Sequence, residues 1–121
     1  MYEGITAFGH FFLKVSNLEN SIAFYRDTLG LKHVVKSDFF NAFELAGHTH
    51  LCIMPGKPSP GDVGFDFLAG DIDSVHDQLK EAGVNVTNPS DDAHSHHRWF
   101  QVTDPDGHKF SVMNNSHENM N

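Results

Sequence analysis

Basic charge is scarce in this chain. Lys and Arg together number 8 against 16 Asp plus Glu, a formal net charge of -8. A protein that grips a phosphate backbone or an anionic lipid surface concentrates Lys and Arg, so nucleic-acid and membrane-surface partners are excluded. Cysteine is nearly absent. Cys52 is the single one, which rules out an internal disulfide framework and suits a reducing compartment. No apolar run approaches the roughly 18 residues of a spanning helix. The opening MYEGITAF has no basic-then-apolar leader pattern. Together these absences lead us to expect a cytoplasmic protein without a membrane partner.

What is present describes a globular unit. The chain has 121 residues, 39% hydrophobic and 20% charged, which suits one domain or two small halves sharing a core. Histidine is abundant at 10 copies, so net charge should move steeply near pH 6. The 11 phenylalanines must mostly be core.

The pattern along the chain repeats. Residues 8–15 read as a strand, with Phe11, Leu13 and Val15 on one face and His10, Phe12 and Lys14 on the other. Ser16 or Asn17 can cap a helix carrying Leu18, Ile22, Tyr25 and Leu29, and Gly30 can end it. Strands over 33–39, 42–46 and 49–54 follow, with a turn at Gly47-His48. A linker spans 55–61, where 3 prolines and 2 glycines forbid a regular element. A strand over 63–68 then places Phe65 and Phe67 on one face. Asp71, Asp73 and Ser74 can cap a second helix, with Ser74 and Asp77 at capping-box spacing. Ile72, Val75, Leu79 and Ala82 form its stripe, and Gly83 stops it. Strands over 84–87, 98–103 and 109–113 complete the order, with a polar loop at 88–97 and a turn at Asp104-Pro-Asp-Gly107.

Strand, helix, three strands, twice over, is an order few small folds share. The run from His10 to Leu31, the segment Phe67 to Gly83 and the turn Asp104 to His108 resemble the vicinal oxygen chelate superfamily. That group holds glyoxalase I, bleomycin-resistance proteins, fosfomycin-resistance thiol transferases and extradiol dioxygenases. The resemblance covers nearly the whole chain. It implies an α+β fold of two βαβββ modules forming curved mixed sheets with helices on the outer side. It implies a single domain over 1–121: module one about 5–54, linker 55–61, module two about 62–113 and a polar, frayed tail 114–121. It also implies a homodimer whose cup-shaped sites take strands from both subunits. It assigns no reaction, because one scaffold hosts many chemistries.

Metal-dependent members of that superfamily place ligands on four cavity-facing strands. Those positions fall on His10, Cys52, Gly64 and Ser111, and only His10 keeps a usual ligand. A durable divalent site needs at least three good protein ligands. No resident metal is therefore expected. A displaced site of His10, His50 and Asp66 is the alternative, its two histidines and one carboxylate suiting Fe, Mn or Zn. Against it stands a plain polar wall in which Asp66 pairs with Lys14 or a histidine.

The resemblance, with strand alternation, implies that His10, Phe12, Lys14, His50, Cys52, Asp66, Trp99, Gln101 and Ser111 face the ligand cavity; alternation alone only puts Trp99 and Phe100 on opposite faces. Phe12 and Trp99, with Phe39 or Phe40, can make an aromatic wall. Cys52 reads by default as a small buried hydrophobe rather than a nucleophile. His94, His96 and His97 read as solvent-facing loop residues, or as a rim closing over ligand. No catalytic residue is assigned. The expected function is a metal-free small-molecule binding protein with a cationic or aromatic ligand. The alternatives are a metal-dependent lyase or dioxygenase with an atypical His/Asp site, and a dimer without catalysis.

Overall fold

The structure, a computed structural model, describes residues 4, 5 and 7–114. The chain divides between Pro58 and Ser59 into two compact units. Each has a strand, then helix, then further strands, three in the first unit and four in the second, and each has its own mixed sheet in an α+β arrangement.

In the first unit, strand β1 (His10–Val15) buries Leu13 and Val15 and exposes His10, Phe12 and Lys14, as alternation predicts. Asn17 is the cap: its side chain accepts the Asn20 amide and starts helix α1 (Leu18–Ile22). The helix then widens into a π-helical segment over Ala23–Thr28, with the Leu29 amide reaching back to the Phe24 carbonyl. The sequence pattern suggested regular α-helical spacing. The wider turns instead bury Ser21 and Tyr25, and Gly30 leaves in the left-handed region at φ 76.

The strand expected over 33–39 stops earlier. Strand β2 is Lys32–Val35, and Ser37 then makes a turn of its own. The Ser37 hydroxyl accepts the Phe39 and Phe40 amides and donates to the Phe40 carbonyl. This local side-chain bonding outcompetes the ladder. Strands β3 (Asn41–Leu45) and β4 (Thr49–Pro55) complete the sheet, in the order β1-β4-β3-β2 with β1 and β4 parallel. Its helix-facing side buries Phe43, Leu51, Ile53 and Val15 around Tyr25.

In the second unit, strand β5 (Gly61–Leu68) turns Val63, Phe65 and Phe67 inward and Asp62, Gly64, Asp66 and Leu68 outward. Helix α2 (Ile72–Glu81) is capped by Asp71, whose side chain accepts the Ser74 amide. Ser74 is therefore inside the helix, and the Ser74–Asp77 capping box does not form. The buried stripe is Ile72, His76 and Leu79, while Ala82 is exposed. His76 takes the place expected of Ala82 because its ring packs edge-on against Phe100, centroids 5.3 Å apart.

Short strands β6 (Asn85–Val86) and β7 (Ser90–Asp91) lead to β8 (Arg98–Thr103) and β9 (His108–Met113). The order is β5-β9-β8-β6, with β7 also on β8 and β5 parallel to β9. The stretch read as a polar loop thus contains a strand. Arg98 fixes that strand by binding Asp91, and it forks onto Asp73 at the start of α2. The two carboxylates raise the Arg98 pKa, and Arg98 in turn holds Asp73 below the usual carboxylate range.

The tail expected from 114 lies outside the described residues except for Asn114, which is anchored rather than frayed. Its side-chain oxygen accepts the Arg98 amide, and its carbonyl accepts His97 Nδ1–H. At the β8–β9 turn, buried Asp104 accepts the amides of Asp106 and His108 and the His108 Nδ1–H.

Candidate functional site

Each sheet packs helix on one side and leaves the other side open. In the first unit the open side follows the pairing of β1 with β4: His10 with His50, Phe12 with Cys52, Lys14 with Met54. Residues paired across a ladder point to the same face. The His10 and His50 rings stack with centroids 5.3 Å apart and 19° between planes, and Phe12 continues the stack at 5.9 Å from His10. Phe12 is 57% exposed. His50 Nδ1 is buried without a hydrogen-bond partner among the described residues. Cys52 faces the same way but has no accessible surface, so it forms a floor beneath its neighbours. Burial pushes its thiol pKa up, which disfavours the thiolate.

The second unit carries an open cleft of about 360 Å³ on its sheet. Register sorts the sheet face that carries it into three tiers. Asp62 pairs with Lys109, and Lys109 with Thr103. Asp66 pairs with Ser111, and Ser111 with Gln101. Leu68 pairs with Met113, and Met113 with Trp99. One face therefore runs from a tier with both signs of charge, through a tier of Asp66 and two neutral polar groups, to an apolar one. Gln101 Nε2 bridges two tiers by donating to Asp62 at 3.3 Å. Phe100 points the opposite way and is fully buried, so Trp99 and Phe100 divide between cleft and core.

The tiers are offset by a bulge. Between Asp62 and Asp66 the pairing of β5 with β9 loses register. Gly64 sits at its centre with φ +80. A left-handed backbone in mid-strand favours glycine. An isolated glycine in a strand signals a bulge only weakly, and the residue pattern reads this one as part of a regular strand.

The expected cavity residues therefore fall into two groups. His10, Phe12, Lys14, His50 and Cys52 belong to the first sheet, and Asp66, Trp99, Gln101 and Ser111 to the second. Of the expected aromatic wall, Phe12 lies in the first unit and Trp99 in the second, while Phe39 is 79% exposed in the Ser37 turn. The histidine-rich segment folds tightly on Asp92, whose side chain accepts the His94 amide, and His96 adopts φ 62. That bonding lowers the Asp92 pKa.

The model of the Glyoxalase/Bleomycin resistance protein/Dioxygenase superfamily matches residues 7–112. The chain belongs to that superfamily. It is 30% identical over 122 residues to a protein named metallothiol transferase FosB from Staphylococcus haemolyticus, covering 94% of this chain and 87% of that one. A superfamily member from Sphaerobacter thermophilus superposes with a TM-score of 0.80 at 26% identity, covering 92% of this chain and 98% of that one. TnmS3 from Streptomyces sp. CB03234, described as an antibiotic binding protein, superposes with a TM-score of 0.77 at 22% identity, covering 92% and 97%. At that identity TnmS3 shares the fold alone.

The superfamily contains metal-dependent enzymes, so the four ligand positions were tested against the side chains present. His10 offers a ring nitrogen. Cys52 is sealed, its thiol pKa pushed up. Gly64 has no side chain and a backbone that resists one. Ser111 offers a neutral hydroxyl. This set does not fit a divalent ion. Among the described residues, no group of three or more His, Cys, Asp or Glu could hold a metal ion. His10 and His50 adjoin within the first unit, whereas Asp66 lies in the second. No helix among the described residues is long and apolar enough to cross a membrane.

Proposed function

We propose that this superfamily member is a small-molecule binding protein that does not use a metal of its own. The observation that carries the reading is the cleft on the second sheet, where Gly64 offers no side chain and Ser111 only a neutral hydroxyl. There Trp99 supplies a planar apolar surface, and Ser111, Gln101 and Asp66 supply orienting polar groups. Such a mix is what ligand pockets need: apolar area for affinity and a few polar groups for orientation. A homodimer in a reducing, cytoplasmic setting belongs to the same reading. Sedimentation equilibrium should then give twice the 13.5 kDa chain mass.

The name of the Staphylococcus haemolyticus relative favours a second reading, a metal-dependent enzyme. Metal analysis separates the two. Untagged protein is purified without chelator, titrated with Fe, Mn, Zn and Ni, and assayed by plasma mass spectrometry. The first reading expects no tight metal. One tight metal per chain, lost in both His10→Ala and Asp66→Ala, would overturn it and call for lyase and dioxygenase assays.

A further inference from the structure

We infer that the cleft of the second module selects an organic cation with an aromatic or apolar body, its charged nitrogen at Asp66 and its body against Trp99. This rests on the small-molecule reading above and adds the ligand's chemical class.

The argument is a count of donors and acceptors along the tiers. The middle tier presents Asp66, the Ser111 hydroxyl and Gln101. Gln101 uses its amide nitrogen on Asp62 and keeps its carbonyl oxygen as an acceptor. Asp66 has no ion pair or hydrogen bond among the described residues. Among the described residues, Lys109 is the only ammonium lining the cleft, and it stands one tier away, level with Asp62. It forms no ion pair with either carboxylate, so Asp62 and Asp66 outnumber it and Asp66 keeps its charge unpaired. The tier is rich in acceptors and poor in donors, so its complement is a group rich in N–H or bearing positive charge. In the adjacent tier Trp99 lines the cleft and receives an apolar body, and an indole face attracts a cation held beside it.

Trp99 is the chain's only tryptophan, so its fluorescence reads the cleft directly. Three probes of one shape and different charge are titrated at low salt: phenethylammonium, 2-phenylethanol and phenylacetate. The cation should bind at least about tenfold more tightly than the alcohol, and the carboxylate most weakly. Asp66→Asn should remove most of the cation's advantage over the alcohol. Lys109→Met should strengthen cation binding. Both variants sit on exposed strand positions, and circular dichroism checks that each folds.

Equal affinity for cation and alcohol, or an Asp66→Asn variant that still prefers the cation, overturns the inference and leaves the small-molecule reading standing. If none of the three probes moves the Trp99 signal, the inference also fails. A fragment library of mixed charge then decides the broader reading. A neutral or anionic hit at the cleft preserves it, and a library without hits removes it.

Discussion

Gly64→Ala tests whether the bulge that shapes the cleft is a property of the backbone. A Cβ built on Gly64 meets nothing within 4 Å, so the substitution creates no clash. Its cost is conformational. Holding an L-residue in the left-handed region costs about 1–2 kcal/mol. Alanine also restricts the unfolded chain, which favours the variant by about 0.4–1 kcal/mol. The net loss is about 1 kcal/mol, or about 4 °C in Tm for a domain of this size. Gly70 supplies the control, because its Cβ also meets nothing within 4 Å and its φ lies outside the left-handed region. Gly70→Ala should stabilise by about 0.5 kcal/mol. The unfolded-state effect cancels between the two variants, so their difference of about 1–2 kcal/mol isolates the strain. Gly64→Asn should lose less than Gly64→Ala, since asparagine visits this region more readily. Urea unfolding followed by far-ultraviolet circular dichroism gives all three values. A Gly64→Ala protein as stable as the parent, or a Gly64→Val protein more stable than Gly64→Ala, would refute the strained bulge.

Packing and charge set four further outcomes. Phe100→Ala removes a ring with 0% exposure and should cost about 3–5 kcal/mol by urea titration. Phe39→Ala, at a site 79% exposed, should stay within about 0.5 kcal/mol. Asp104→Ala strips the acceptor from two amides and the His108 ring and should cost about 2–4 kcal/mol, with Asp104→Asn losing less. The Asp73–Arg98 pair sets a pH dependence. Asp73 is a stronger acid in the folded state than its usual 3.8, so the pair stabilises above 3.8 and is lost as pH falls through the lowered value. The Tm difference between the parent and Asp73→Asn should be constant at neutral pH and vanish in acid. A difference that grows on acidification would contradict the pairing.

The strand faces were legible because alternation has only two outcomes. Leu13 and Val15 against Phe12 and Lys14 could be read from the chain, as could Trp99 against Phe100. The helix stops at Gly30 and Gly83 were legible because both need positive φ. Less visible were features in which side chains compete for the backbone. The Ser37 hydroxyl ended a strand the residue types favoured. Asp71, one of the residues able to cap, took the cap, while His76 joined the buried stripe by packing its ring against Phe100.

For the candidate site, the sequence by itself determined which side chains share a sheet face and which ligand positions lack a ligating group. Both follow from residue identity and a period of two. Only the tertiary structure decided what those groups do together. Register placed Asp66 beside Ser111 and Trp99 beside Met113, sorting one face into tiers. Neighbouring strands sealed Cys52, which alternation alone would leave open to ligand. Register and occlusion depend on residues distant in the chain, so no local pattern encodes them.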